Sequence, residues 1–310
     1  MILSWRNHRI KRFFLKLFLW ARKVSFPGFD GVALYDVVVF FYQSIIKGSI
    51  TTRASAVAFS FFLALFPAII FLFSLISYIR LENFQTELLQ LIEEIVPKST
   101  HDAIDETVKN ILFKQRDGLT LFGFVTALIF ATNGLASMMS AFDASLHTFQ
   151  RRSWLGQRLI AIMMLFILAV LLTLAVTLIT SGQFAINYLV EHGILQDTFT
   201  YYLLTFGKWV VTVALFFFAY SFLYYFAPAK KTRWRFISAG GTLATILSIL
   251  TMVGFSYYIT NFGRYNILYG SIGTLLVVLL LFYLMSLILL LGFELNASIN
   301  EAHHHKSLGE

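Results

Sequence analysis

The 310-residue chain is 58% hydrophobic and only 13% charged, with a mean hydropathy of +0.75. That much apolar surface exceeds what one soluble core of this size hides, which excludes an ordinary water-soluble domain. The net charge of +8 and the absence of cysteine leave no disulfide and no thiolate metal site or nucleophile.

Residues 5–24 read as a basic amphipathic helix. Ile10, Phe13, Leu17, Trp20 and Val24 share one face, with Arg12, Lys16 and Lys23 on another. Such a helix lies in the headgroup plane rather than crossing the bilayer. Pro27-Gly28 ends it, and the first 25 residues carry no cleavable signal pattern. Within residues 31–48, Val37–Ile46 is a short apolar stretch bounded by Asp36 and Lys47. It is too short to cross, and so is expected as an interfacial or re-entrant elbow. Residues 1–50 thus make a cytoplasmic arm.

Six uncharged runs follow, at 54–79, 118–142, 159–190, 209–229, 236–263 and 265–293. Each meets the ~20 residues that a helix needs to cross ~30 Å of hydrocarbon at ~1.5 Å per residue. The fold class is therefore all-α: a polytopic six-helix membrane domain over 51–299, with a tail at 300–310. Pro67 falls in mid-span one and predicts a kink. Between spans one and two, 80–117 shows two apolar stripes separated by Pro97, with Ser99 and Asp102 spaced as a capping box. The expectation is a small extracytoplasmic helical hairpin that caps the bundle or docks an envelope protein partner.

Asn133-Gly134 lies near the middle of span two and could line a pathway or permit close helix packing. Asp143 closes that span. Lys208 beside Trp209 reads as interfacial snorkelling at the start of span four, and Gly240-Gly241 in span five as a tight helix contact.

The link between spans five and six is the most distinctive piece. Asn261, Gly263, Arg264, Tyr265, Tyr269 and Gly270 make it too polar for a lipid-facing helix and too aromatic for a solvated loop. Irregular backbone at that depth persists only inside protein or along a wet cavity. The segment is expected to be either an interfacial turn or a substrate vestibule, with Arg264 suited to an anionic headgroup or phosphate. Glu294 and Asn296 end span six.

Basic residues fix the orientation. The arm, 151–158, 230–235 and Lys306 are rich in Lys and Arg, whereas 80–117 holds eight acids from Glu82 to Asp117. Basic loops stay cytoplasmic, which places both termini on the cytoplasmic side. The positive charge is thereby absorbed by topology and anionic lipid, without nucleic acid.

By alternation, Arg53, Asp143 and Glu294 share the cytoplasmic edge. One arginine could serve both carboxylates as a clamp on spans one, two and six, or as an inner gate with a proton-coupled carboxylate. No phosphate loop, dinucleotide fingerprint, HExxH or nucleophile elbow occurs. His303-His304-His305 reads as a solvated tail cluster, so no metal, cofactor or catalytic residue is expected.

Several separated signatures give a resemblance. These are Arg53-Ala54-Ser55-Ala56 with Ala64-Leu65-Phe66-Pro67, Ala141-Phe142-Asp143 with Arg151-Arg152-Ser153, the 261–271 segment, and Leu291-Gly292-Phe293-Glu294-Leu295-Asn296-Ala297. Together the chain resembles the YihY/virulence factor BrkB family of bacterial inner-membrane proteins, once labelled ribonuclease BN. The 261–271 segment departs from that pattern at Arg264 and at Asn266-Ile267-Leu268. The resemblance implies six membrane helices with cytoplasmic termini and a role in the cell envelope, in export or lipid movement. The expectation is a non-enzymatic transporter or flippase-like protein for an amphiphilic or anionic, lipid-like molecule. The alternative is a structural membrane protein that docks an envelope partner through 80–117.

Overall fold

The computed structural model describes residues 24–25, 28–29, 31–76, 109, 117–145, 152–191, 198–230, 237–262 and 265–308. The expected amphipathic helix at 5–24, the hairpin at 80–117, Gly263 and Arg264 lie almost wholly outside them. Every regular element among the described residues is helical: α1 (Leu34–Lys47), α2 (Ile50–Ile76), α3 (Asp117–Ser145), α4 (Trp154–Glu191), α5 (Thr198–Phe226), α6 (Ala239–Phe262) and α7 (Tyr265–Leu308). Six of them, α2 to α7, are long and apolar enough to span a bilayer. Helices suit that solvent because each satisfies its own backbone polar groups.

The six close into a ring. α2 packs most extensively against α3, then α3 on α4, α4 on α5, α5 on α6, α6 on α7, and α7 back on α2. α1 is a short apolar helix that lies against the end of α7, where Val32 and Val37 bury against Ile299 and Ala302. That contact holds the 300–308 stretch as helix, so α7 runs 44 residues without a break, about 66 Å at ~1.5 Å per residue.

Pro67 sits within a continuous α2; its missing N–H removes one ladder bond without ending the helix. One sequence expectation changes in detail. The 261–271 segment is not irregular on either side of 263–264, because Asn261 closes α6 while Tyr265, Tyr269 and Gly270 form the first turns of α7.

Packing is strongly uneven along the bundle. The main core gathers at the end carrying Arg53, from Ala54 and Val57, Leu135 to Phe142, Ala161 and Met164, Phe222 to Tyr224, Ala244, and Leu289 to Phe293. Toward the other end the same helix stripes emerge. On α6, Gly241, Ala244, Thr245 and Ser248 are buried, yet Met252, next along that stripe, is 44% exposed. On α7 the stripe through Leu290 and Ser286 reaches Leu276 at 45%, and on α5 the stripe from Tyr224 and Tyr220 reaches Phe206 at 67%. At the far end α5, α6 and α7 expose these stripes, while α2 and α3 stay in close contact there, Gly123 against the Phe71 backbone.

Candidate functional site: the packed basic end

Lipid tails are as apolar as leucine, so helices in a membrane are held by close packing and polar contacts rather than by water exclusion. The basic end uses both. Gly240 of α6 and Gly292 of α7 meet backbone to backbone: a Cβ on Gly240 would overlap the Gly292 carbonyl oxygen, and one on Gly292 the Tyr224 hydroxyl. The contact expected at Gly240-Gly241 is thus an inter-helix crossing. Gly134 plays the same part between α3 and α2, where a Cβ would lie 2.8 Å from the Phe61 ring. Neighbouring Asn133 remains half-buried.

Arg53 and Glu294 form an ion pair at 3.3 Å, with Glu294 only 1% exposed. Arg53 Nη1 also donates to the Ala141 carbonyl at 2.7 Å and to Ser145 Oγ at 2.6 Å. One side chain thereby ties α2, α3 and α7. Gly48, in the α1–α2 link, stands over the pair: a Cβ there would lie 2.7 Å from Arg53 Nη2 and 3.3 Å from Glu294 Oε1. Next to it Ser49 adopts the left-handed φ of 47°, a conformation uncommon for a residue with a side chain. Two buried atoms of the pair, Arg53 Nε and Glu294 Oε2, have no protein hydrogen-bond partner.

Asp143 does not join that pair. It lies a helical turn beyond Met139 on α3, and its carboxylate accepts the Ala229 N–H at 2.7 Å, with the charge of Arg152 acting on it. Arg152 in turn donates to the carbonyls of Ala227 at 2.9 Å, Pro228 at 2.5 Å and Phe226 at 3.4 Å. These carbonyls end α5, where the helix leaves acceptors unsatisfied and its dipole favours a cation. The shared clamp expected for Arg53, Asp143 and Glu294 is therefore two separate devices, one for each carboxylate.

Asn296 completes the set. Its Oδ1 accepts the Gly240 N–H at 2.8 Å, and its Nδ2 donates to Ser238 Oγ at 3.0 Å. Ser238 Oγ also accepts the Gly241 N–H at 3.0 Å, so a side chain of α7 and the local serine cap α6 together. Between these polar ties lies an aromatic plug. Phe142 and Phe293 stack at 4.0 Å, Tyr224 packs edge-on to Phe142 at 5.8 Å, and the Tyr224 hydroxyl donates to the Leu289 carbonyl at 2.9 Å. Tyr220 hydrogen-bonds Ser248 across α5 and α6.

Sequence reasoning singled out Arg53, Asp143, Glu294 and Asn296, met Arg152, Phe142 and Phe293 only within the family signatures without a role, and missed Gly48 and Tyr224. A signal for Arg152 existed in Pro228, which stands near the end of the fourth apolar run and leaves carbonyls to be capped. For the candidates Asn261, Tyr265, Tyr269 and Gly270 the structure gives helical placement at the far end, outside this cluster. Among the described residues, no three His, Cys, Asp or Glu side chains come together.

The virulence factor BrkB family model matches residues 41–309. The chain belongs to the virulence factor BrkB family. A relative from Bacillus subtilis, the putative ribonuclease-like protein YfkH, is 29% identical over 254 residues, covering 81% of this chain and 90% of that protein. The UPF0761 membrane protein of Aliivibrio salmonicida is 28% identical over 274 residues, covering 86% and 84%. That of Idiomarina loihiensis is 30% identical over 164 residues, covering 53% and 57%. No solved structure matches the chain. This BrkB-family chain is therefore a membrane protein, and its relatives carry both a membrane and a ribonuclease-like name.

Proposed function

We propose that this BrkB-family protein is a non-enzymatic transporter or flippase-like protein of the bacterial inner membrane, acting on an amphiphilic or anionic, lipid-like envelope molecule. One observation carries the reading: the six-helix ring is plugged at its basic end, while core-facing stripes of α5, α6 and α7 are exposed at the far end. A scaffold gains nothing from such asymmetry. A carrier uses it, because alternating access needs one end shut while the other is open.

The positive-inside rule makes the plugged end cytoplasmic, so the conformation is outward-open. The ion pair of Arg53 and Glu294 is suited to be the breakable part of the inner gate. It joins three helices, yet each partner keeps one buried atom without a bond, and such a pair is far from its full strength. The ribonuclease-like name of the Bacillus relative adds no chemistry at this cluster, whose carboxylates are spent on an arginine and a backbone amide.

Reconstitution tests the proposal. Vesicles containing the protein and a fluorescent phospholipid are treated with an impermeant quencher, and the protected fraction is followed over time. Protein-dependent loss of protection supports the reading. Tight vesicles with unchanged protection for anionic and zwitterionic lipids alike would refute lipid movement and return the protein to the scaffold class.

A further inference from the structure

We infer that α4 carries a binding site for one anionic glycerophospholipid, its phosphate on Arg158 and its tails along the exposed face of the helix. The site goes beyond the transport reading and holds whether or not the protein moves lipid.

Arg158 lies four residues inside the start of a membrane-spanning stretch, Trp154–Ala175. No carboxylate among the described residues pairs with it. Among the described residues its one hydrogen bond runs from Nη1 to Thr132 Oγ1 at 3.3 Å, and its guanidinium sits 5.6 Å from the centre of the Trp154 ring. Arginine carries five N–H donors in a planar fork that matches phosphate oxygens. A half-buried arginine in this position is thus a cation with most of its donors still to place. Charge inside a span is costly unless it is partnered. Arg152 and Arg53, the other described arginines of this end, differ in spending their guanidinium groups on carbonyls and Glu294.

Position on the helix wheel supplies the second half. At about 100° per residue, Arg158 stands about 60° from buried Ala161, at the border between packed and exposed faces. The exposed face beside it is apolar, with Leu159 at 68% and Phe166 at 70% exposure. It leads into a groove of about 440 Å³ lined by Ala169, Val170, Thr173, Leu174, Thr177 and Leu178. From Arg158 to Ala169 the helix rises about 16 Å, close to the ~15 Å depth of one hydrocarbon leaflet, half of ~30 Å. A headgroup at Arg158 therefore delivers its tail ends to the mouth of the groove. Trp154 occupies the interfacial level that tryptophan favours.

Native mass spectrometry of the full-length protein tests the site, with phosphatidylglycerol or phosphatidylcholine titrated into a zwitterionic detergent. Wild type is expected to retain one phosphatidylglycerol about fivefold more tightly than phosphatidylcholine. Arg158→Gln is expected to abolish that preference, Arg158→Lys to keep part of it, and Lys230→Gln to leave it intact. Equal preference in wild type and Arg158→Gln would overturn the proposal, as would displacement of the lipid by millimolar inorganic phosphate with no contribution from the tails. A second measurement needs no variant. Phosphatidylglycerol with a photoreactive group midway along one tail should label α4 between Leu159 and Leu178 in wild type, and labelling confined to other helices would overturn the assignment.

Discussion

Gly240 and Gly292 touch through their backbones, and the approach leaves room for no Cβ on either. The crossing brings Asn296 within reach of the α6 N-terminus and Tyr224 within reach of Leu289. Gly240→Ala and Gly292→Ala should each destabilise the protein by about 1–3 kcal/mol through overpacking. Gly254→Ala, on the same helix with open space around it, should be neutral or stabilising. Thermal unfolding in one detergent ranks the three.

The Arg53–Glu294 pair predicts an asymmetric response. Arg53→Gln strands a carboxylate that is 1% exposed, whereas Glu294→Gln leaves an arginine that keeps its bonds to Ala141 and Ser145. Losing one partner of a buried pair costs about 3–5 kcal/mol, with the arginine variant toward the upper end. The double variant should cost clearly less than the sum. A double-mutant cycle on unfolding midpoints reads the coupling, and additive losses would mean that the two groups do not act together.

Arg152 is expected to be irreplaceable by lysine, because three carbonyls at the end of α5 share one planar fork and an ammonium cannot reproduce it. Arg152→Lys and Asp143→Asn should each cost about 1–3 kcal/mol. They should also raise hydrogen exchange or proteolysis locally at residues 226–230. Unchanged protection there would detach these groups from the α5 terminus.

Phe142 separates a gate from a plain core. Its ring is fully buried and stacks on Phe293, so Phe142→Ala should cost about 3–5 kcal/mol. If the plug closes a translocation path, the variant that still folds should also raise basal flux in reconstituted vesicles. Loss of stability without any leak would make the ring core and nothing more.

The spans were legible because hydropathy alone decides them. The run at 118–142 became α3, Asp117–Ser145, and that at 236–263 became α6, Ala239–Phe262. Helix ends were less legible, since a run stops at the first charge while the helix need not. Trp154 to Arg158 belong to α4 despite Gln157 and Arg158, and α7 continues through Glu294 and Glu301 to Leu308. Partner choice was the least legible. That Arg53 takes Glu294 and leaves Asp143 to Ala229 depends on α7 lying against α2 and on the end of α5 lying against α3. Neighbour relations of that kind are absent from any single segment.

Opening at one end and closure at the other is tested most directly by labelling single cysteines, since the chain contains none of its own. Met252→Cys and Leu290→Cys are treated with an impermeant maleimide, first on intact spheroplasts and then on inverted vesicles, with denatured samples setting full reactivity. Met252→Cys should label from the outer side alone, and Leu290→Cys from neither. Labelling of Leu290→Cys from the cytoplasmic side, with Met252→Cys protected from both, would contradict the account.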